Sequence, residues 1–166
     1  KRETDVAILL ARPRKGPLVT RKLTDYRLRL YAARAYLAEC GPIVRTEDLR
    51  AHPLIGYIPD FIYAPELHYI EDIAPGLEAD LRSSSINAQY RMIAAGSGIG
   101  VLPCFIGDAD STLVPILPGV AIQRSFWLST HRDTRQLPHV DRFVAWLAEL
   151  VGRRQALLAG RPLPSP

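Results

Sequence analysis

The side chains best placed to do chemistry in this sequence are three consecutive serines, Ser83, Ser84 and Ser85, standing directly before a run of helix formers at 86–95. A helix start presents unpaired backbone N–H groups and a partial positive charge. A serine hydroxyl there caps the helix, and the same hydroxyls and N–H groups also suit an anion. The residues alone leave both readings open, although one serine is enough for a cap. Gly96-Ser-Gly-Ile-Gly100 is glycine-rich enough to suggest a phosphate loop. A dinucleotide fingerprint runs strand, glycines, helix, whereas here the order is helix, glycines, strand. These glycines are therefore read as ending one helix and turning the chain into the next strand. Cys104 follows Pro103, and a nucleophilic role would need a base to form the thiolate and a group to orient that base. His52, His68, His131 and His139 show no such spacing. There is no His-Glu-x-x-His pattern and no paired carboxylate site, so neither a metal nor a cofactor is expected, nor catalysis.

The elements that must position these residues belong to a chain of 166 residues, 48% hydrophobic and 23% charged, the make-up of one or two small globular domains. No apolar run approaches the ~20 residues of a membrane span, and residues 1–8 lack the pattern of a signal peptide. A cytoplasmic protein is expected. Cys40 and Cys104 make neither a disulfide framework nor a metal spacing, and both are expected to be reduced and buried. The net charge of +4 invites a nucleic-acid reading, but the basic residues are spread along the chain. Arg12, Arg14, Lys15, Arg21 and Lys22 come nearest to a cluster, and prolines and glycines interrupt it.

Residues 5–10 read as a buried strand, 13–17 as a loop, and 18–20 and 28–31 as two extended pieces. A helix at 33–40 stops at Gly41-Pro42. Thr46-Glu-Asp-Leu49 looks like a capped helical turn. Strands are expected at 54–58, 77–81, 99–102, 113–117 and 124–131, with a short helix at 65–70. In 139–151 the residues Val140, Phe143, Val144, Leu147 and Val151 fall at helical spacing and form one apolar face. The stretch 153–166 is basic and proline-rich and reads as a loose tail. Alternating strands and helices predict an α/β domain with a largely parallel sheet.

The order of motifs resembles the effector-binding domain of LysR-type transcriptional regulators. Asp5-Val-Ala-Ile8 is similar to the family's Asp-Leu-Ala-Ile strand, and Gly16-Pro-Leu-Val-Thr-Arg-Lys-Leu23 to the segment after it. Leu30-Tyr-Ala-Ala33, Tyr36-Leu37 and Gly41-Pro42 follow, then Glu47-Asp-Leu49 and His52-Pro-Leu-Ile55. The most specific match is Ser83-Ser-Ser-Ile86 with Ala94-Ala-Gly-Ser-Gly-Ile-Gly-Val-Leu-Pro103. His131, Arg135, Pro138-His-Val140 and Phe143 resemble the C-terminal strand and helix, so the likeness covers about residues 5–150.

The resemblance implies a periplasmic-binding-protein type II-like fold, with two α/β lobes joined by two crossovers around a ligand cleft. Residues 23–131 would form one nearly complete lobe, the second, and 1–22 with 132–151 the remnant of the first, leaving 152–166 as a tail. It implies a small-molecule effector, for which a carboxylate would suit the serines. It places Ser83, Ser84 and Ser85 in contact with that effector and Leu10 at a cleft position as a less polar wall. Tyr57 and Leu102, at strand ends in the second lobe, are expected to line the cleft too. Family members form dimers and tetramers and bind DNA through a winged helix-turn-helix domain, which nothing here matches. The chain is thus expected to be a truncated part of such a regulator, with apolar surface exposed on the first-lobe remnant. A solute-binding protein of a transporter, which shares the lobe architecture, is the rival reading.

Overall fold

In the computed structural model, which describes residues 4–13 and 16–162, one strand organises the rest. Strand β2, Leu18–Ala33, follows the short strand β1, Val6–Leu9. Sequence patterning predicts two extended pieces here, and the structure joins them. The joining residues are accommodated locally: Asp25 takes a salt bridge from Lys22 at 2.6 Å and a hydrogen bond from the Ser125 hydroxyl at 2.6 Å. Together they hold the Asp25 carboxyl below the usual range. A register shift between Lys22 and Thr24 absorbs the extra residue as a bulge.

Along β2 the side chains alternate between two apolar clusters, as the strand's period of two requires. Tyr26, Leu28, Leu30 and Ala32 belong to the larger cluster, with Leu54, Ile99, Val101 and Ile116. Tyr31 and Ala33 belong to the smaller one, with Ile55, Ile93, Leu102 and Leu113. After β2 come α1 (Arg34–Cys40), a 3-10 turn (Thr46–Ala51), β3 (Leu54–Gly56), two 3-10 turns (Pro59–Phe61 and Pro65–Leu67) and α2 (Tyr69–Ile73). Then follow β4 (Leu81–Arg82), α3 (Ile86–Ala94), β5 (Ile99–Pro103), α4 (Cys104–Gly107), β6 (Leu113–Ile116) and β7 (Ile122–His131). The helices α5 (Pro138–Arg153) and α6 (Gln155–Ala159) complete the chain.

The sheet order is β1-β7-β2-β5-β3-β4, with β6 also on β2. The expectation of a largely parallel sheet is corrected. Among the described residues only β3–β4 and β3–β5 are parallel; β1–β7, β2–β5, β2–β6 and β2–β7 are antiparallel. A parallel pair needs a crossover of a dozen or more residues. The long 57–80 segment supplies one between β3 and β4, whereas the antiparallel pairs join strands that are not consecutive in the chain, so local alternation does not set their direction.

Other local expectations shift for identifiable reasons. β1 is not a buried strand: among the described residues it pairs only with β7, and Ile8 is exposed. The turn at Thr46 is capped by Asp48, whose carboxylate accepts the Val44 and Arg45 N–H groups at 3.1 and 2.9 Å. Most of 77–81 is not strand, because the Asp80 carboxylate, in place of a backbone carbonyl, accepts the Leu54 N–H at 2.8 Å. Cys40, at the last position of α1, is exposed, while Cys104 is buried as expected. Arg12 lies over the Trp127 ring and Arg21 reaches the Val144 carbonyl, so these cations are tied to the protein itself. Arg14 and Lys15 lie outside the described residues. The stretch after residue 153 is not simply loose: α6 packs back onto the sheet, with Gln155 donating to Thr24 at 2.8 Å. Its end, 163–166, lies outside the described residues.

On α5 only Val140 and Leu147 are buried against the sheet. Phe143, expected on the inner face, is exposed, as are Trp146 and Leu150, and the Phe143 and Trp146 rings meet at 5.6 Å. The apolar stripe of this helix is wider than the surface that covers it. Replacing Phe143 and Trp146 together by Ser is expected to reduce binding of an apolar fluorescent dye and self-association several-fold, with a melting temperature changed by no more than a few degrees. Dye titration and analytical ultracentrifugation would check this, and an unaltered dye signal would refute the exposed face as its source.

Candidate functional site

Two features meet at the edge of the sheet formed by β3 and β4: the serine turn before α3 and a cavity beneath the 57–80 segment. The turn is pinned on both sides. The Ser83 N–H donates to the Gly56 carbonyl at 3.0 Å, which fastens it to the end of β3. The Gln89 side-chain amide donates to the Ser83 carbonyl at 3.0 Å from one turn inside α3. Gln89 is 1% exposed, so this bond satisfies a polar group that burial would otherwise penalise. The Ser83 hydroxyl accepts the Ser85 N–H at 3.2 Å. Ser85 is the N-cap, with its hydroxyl accepting the Ala88 N–H at 3.5 Å, a long and weak cap.

The three serines therefore divide their work. Ser83 shapes the turn and Ser85 caps the helix. Ser84 is exposed, and its hydroxyl makes no hydrogen bond among the described residues. With the first-turn N–H groups of α3, it forms a small polar surface suited to a carboxylate or another hydrogen-bond acceptor.

The cavity measures ≈ 330 Å³, within the range of small-molecule pockets. Its floor and walls are Ile55, Gly56, Val101, Ile62, Leu67, Ile70 and Leu77, with Tyr57 and Tyr69 as aromatic sides. The two tyrosine rings meet edge to face at 5.7 Å. Burial pushes the Tyr57 hydroxyl up to about 12, with the neighbouring Tyr63 and Tyr26 adding to the effect, so it is neutral at physiological pH. At the exposed rim Arg82 pairs with Glu78 at 2.8 Å and donates to the Ala79 carbonyl at 2.7 Å. Arg82 and Gln89 line the cavity and flank the serine turn in sequence, so cavity and turn share a wall.

Of the residues singled out from sequence, the structure brings Tyr57 and the serine turn to one place. Tyr57 follows Gly56, whose carbonyl holds Ser83. Leu10 is half-buried against the larger apolar cluster and is not on the cavity wall. Leu102 is 0% exposed and packs in the smaller cluster; its neighbour Val101 faces the cavity, because successive residues of β5 point to opposite faces. The glycine-rich segment behaves as its order suggests. Gly96 and Gly98 have φ of 79° and 151°, and they end α3 and turn the chain into β5. Gln89, Arg82 and Tyr69 were not singled out. A glutamine at the buried side of a helix, one turn after a serine run, was the available signal for the first. For the others, only the fold reveals which loop covers the sheet edge.

Gln89→Ala is expected to lower stability by ~1–2 kcal/mol through the unpaired Ser83 carbonyl and to speed amide exchange at Ser83 and Ser85. Urea denaturation with exchange mass spectrometry would check both, and unchanged exchange at the turn would show that Gln89 does not hold it.

Comparison with known proteins places this geometry in a family. The family described as "LysR substrate binding domain" matches residues 1–152. The Mau operon transcriptional activator of Paracoccus denitrificans is 29% identical over 151 residues, covering 88% of this chain and 48% of that protein. The HTH-type transcriptional regulator PtxR of Pseudomonas aeruginosa is 28% identical over 162 residues, 93% of this chain and 52% of that one. This chain thus spans about half the length of these relatives. In three dimensions it is similar to the regulatory domain of CrgA, a LysR-type regulator from Neisseria meningitidis. That likeness has a TM-score of 0.77 at 22% identity over 90% of this chain and 76% of that one. The regulatory domain of AphB from Vibrio vulnificus matches with a TM-score of 0.67 at 21% identity, over 90% of this chain and 76% of that one. The family match spans nearly the whole chain and the structural likeness agrees with it, so the chain belongs to the LysR substrate-binding domain family, with the periplasmic-binding-protein type II-like fold of that family.

Proposed function

We propose that this chain is the effector-sensing part of a LysR-type transcriptional regulator, binding a small molecule with its polar head at Ser83, Ser84 and Ser85. The observation that carries the reading is the shared wall: Gln89 lines the cavity and holds the carbonyl of the serine turn. An effector with a carboxylate at the turn and an apolar or aromatic body against Tyr57 would use both features. Leu10 would contribute an apolar wall from the first-lobe side, and Leu102 would support β5 from behind rather than touch the ligand.

In this reading residues 23–131 are the second lobe and 1–22 with 132–151 belong to the first. The register shift between Lys22 and Thr24 supports a boundary there, since a bulge is where a strand bends. The exposed Phe143, Trp146 and Leu150 support a first lobe that continues beyond these residues. The effector would act by population shift, favouring one arrangement of the lobes only so far as it binds that arrangement more tightly. Dimers or tetramers of a full-length regulator would transmit the change to DNA through a separate domain, in the cytoplasm. The role is sensing, not catalysis: the curated relatives named above are regulators, and they favour this reading over a transporter's solute-binding protein.

The test is calorimetry on the full-length regulator with short aliphatic and aromatic carboxylates, each paired with its uncharged amide. A carboxylate is expected to bind at least ~10-fold more tightly than its amide, and Ser84→Ala with Ser85→Ala is expected to remove most of that difference, about 1–2 kcal/mol. Equal binding of acid and amide would refute the carboxylate head. Acid binding that survives the double substitution unchanged would refute the serine turn as its site.

A further inference from the structure

The chain does not leave the molecule after α5. It turns at Arg154 and runs back across β2 and α4 as α6 and the residues beyond it. Three contacts seat this segment, each joining residues far apart in sequence. Gln155 donates to the hydroxyl of buried Thr24 at 2.8 Å. The Arg29 guanidinium donates through Nη1 to the Arg161 carbonyl at 2.8 Å. The Arg161 N–H donates to the Asp108 carboxylate at 2.7 Å, while the other oxygen of Asp108 accepts the Tyr31 hydroxyl at 2.7 Å.

Arg29 is only 4% exposed, and its Nε has no partner among the described residues. A buried guanidinium satisfied mainly by one carbonyl of the returning segment is a contact that water can replace once the segment lifts. Gly160 makes the closest approach. Its φ is 79°, and a Cβ there would lie 2.6 Å from the Cys104 Cβ and 2.7 Å from the Cys104 Sγ. The thiol is fully enclosed beneath this glycine. The covering helix α6 has five residues, none of them fully buried: Leu158 is half-buried against the larger apolar cluster and Leu157 faces solvent. Such a short element is held by its contacts and not by its own helicity.

We infer that residues 155–161 form a releasable latch that ties α5 to the lobe built on β2 and α4 and closes over Cys104. α5 is joined to these contacts through Arg154 and α6, so a movement of α5 that carries α6 with it has to stretch or open the Arg29–Arg161–Asp108 contacts. If α5 belongs to the first lobe, as proposed above, the latch biases the lobe arrangement that an effector would select; the contacts themselves stand without that reading. The exposed Cys40 gives an internal reference for measuring release.

The test is alkylation of the full chain by N-ethylmaleimide, followed at each cysteine by peptide mass spectrometry, with amide exchange recorded in parallel. Three chains are compared: the native one, Gly160→Val, and one ending at Arg154. In the native chain Cys104 is expected to react at least ~100-fold more slowly than Cys40. Both altered chains are expected to raise the Cys104 rate at least ~10-fold at constant Cys40 rate, with faster exchange in α5 and unchanged protection in β5. A Cys104 rate that matches Cys40 in the native chain, or that stays the same in both altered chains, would overturn the inference. Loss of protection in β5 together with that of Cys104 would overturn it as well, because the segment would then be an integral part of the core and not a latch.

Discussion

Strand β2 has both of its edges occupied, and almost everything else in the molecule follows from that. β7 and then β6 run along one edge and β5 lies on the other, so the backbone N–H and C=O groups of its inner part are paired on both sides. A strand paired in this way has no freedom to slip, since a shift of one residue would exchange its two faces. Tyr26, Leu28, Leu30 and Ala32 are thereby committed to one cluster, and Tyr31 and Ala33 to the other. The loops that cover the cavity pack on the first cluster, and α3 packs on the second. Both halves of the candidate site thus take their position from the register of one strand.

The site itself depends on satisfied backbone groups more than on reactive side chains. The serine turn is held by a carbonyl of β3 and by the side chain of Gln89, two partners that belong to the rigid sheet and helix. A polar surface held in this way is organised before any ligand arrives, which lowers the cost of ordering it on binding. The cavity beside it is walled largely by aliphatic residues and two tyrosines, with Glu78 and Arg82 paired at the rim and Glu71 accepting the Gly76 N–H at 3.2 Å. Such a site is suited to recognising shape and a hydrogen-bonding head group. The enclosed thiol of Cys104, raised by burial, is correspondingly unsuited to nucleophilic chemistry.

The surface of α5 shows the opposite condition. Its inner residues Val140 and Leu147 are covered and its outer residues Phe143, Trp146 and Leu150 are not, although all five belong to one apolar stripe. β1, which among the described residues pairs only through β7, leaves Ile8 exposed as well. Apolar surface on a helix and on an edge strand raises the tendency to associate. The contacts of Arg21 with Val144 and of Gln155 with Thr24 hold this end of the molecule to β2 from two directions.

The sequence by itself determined what depends on neighbours in the chain. The helix after the serines, its stop at Gly96, the strand Ile99–Pro103 and the helix after Pro138 are local patterns of periodicity, capping and breakers, and the order of those patterns was enough to indicate the family. Tertiary structure alone decided what depends on residues far apart. Sheet direction is one example: helix–strand alternation suggests parallel pairing, but the strands that pair antiparallel, β1 with β7 and β2 with β5, β6 and β7, are not neighbours in the sequence, so their direction is set by the fold. Leu102 is another, because its strand was legible while the face it occupies was set by the register against β2. The union of 18–20 with 28–31 required partners on β7, and the docking of 155–161 required Arg29, Asp108 and Thr24 to be assembled first. Hydrogen bonds between residues a hundred positions apart leave no periodic trace in a sequence, so only the folded chain can show them.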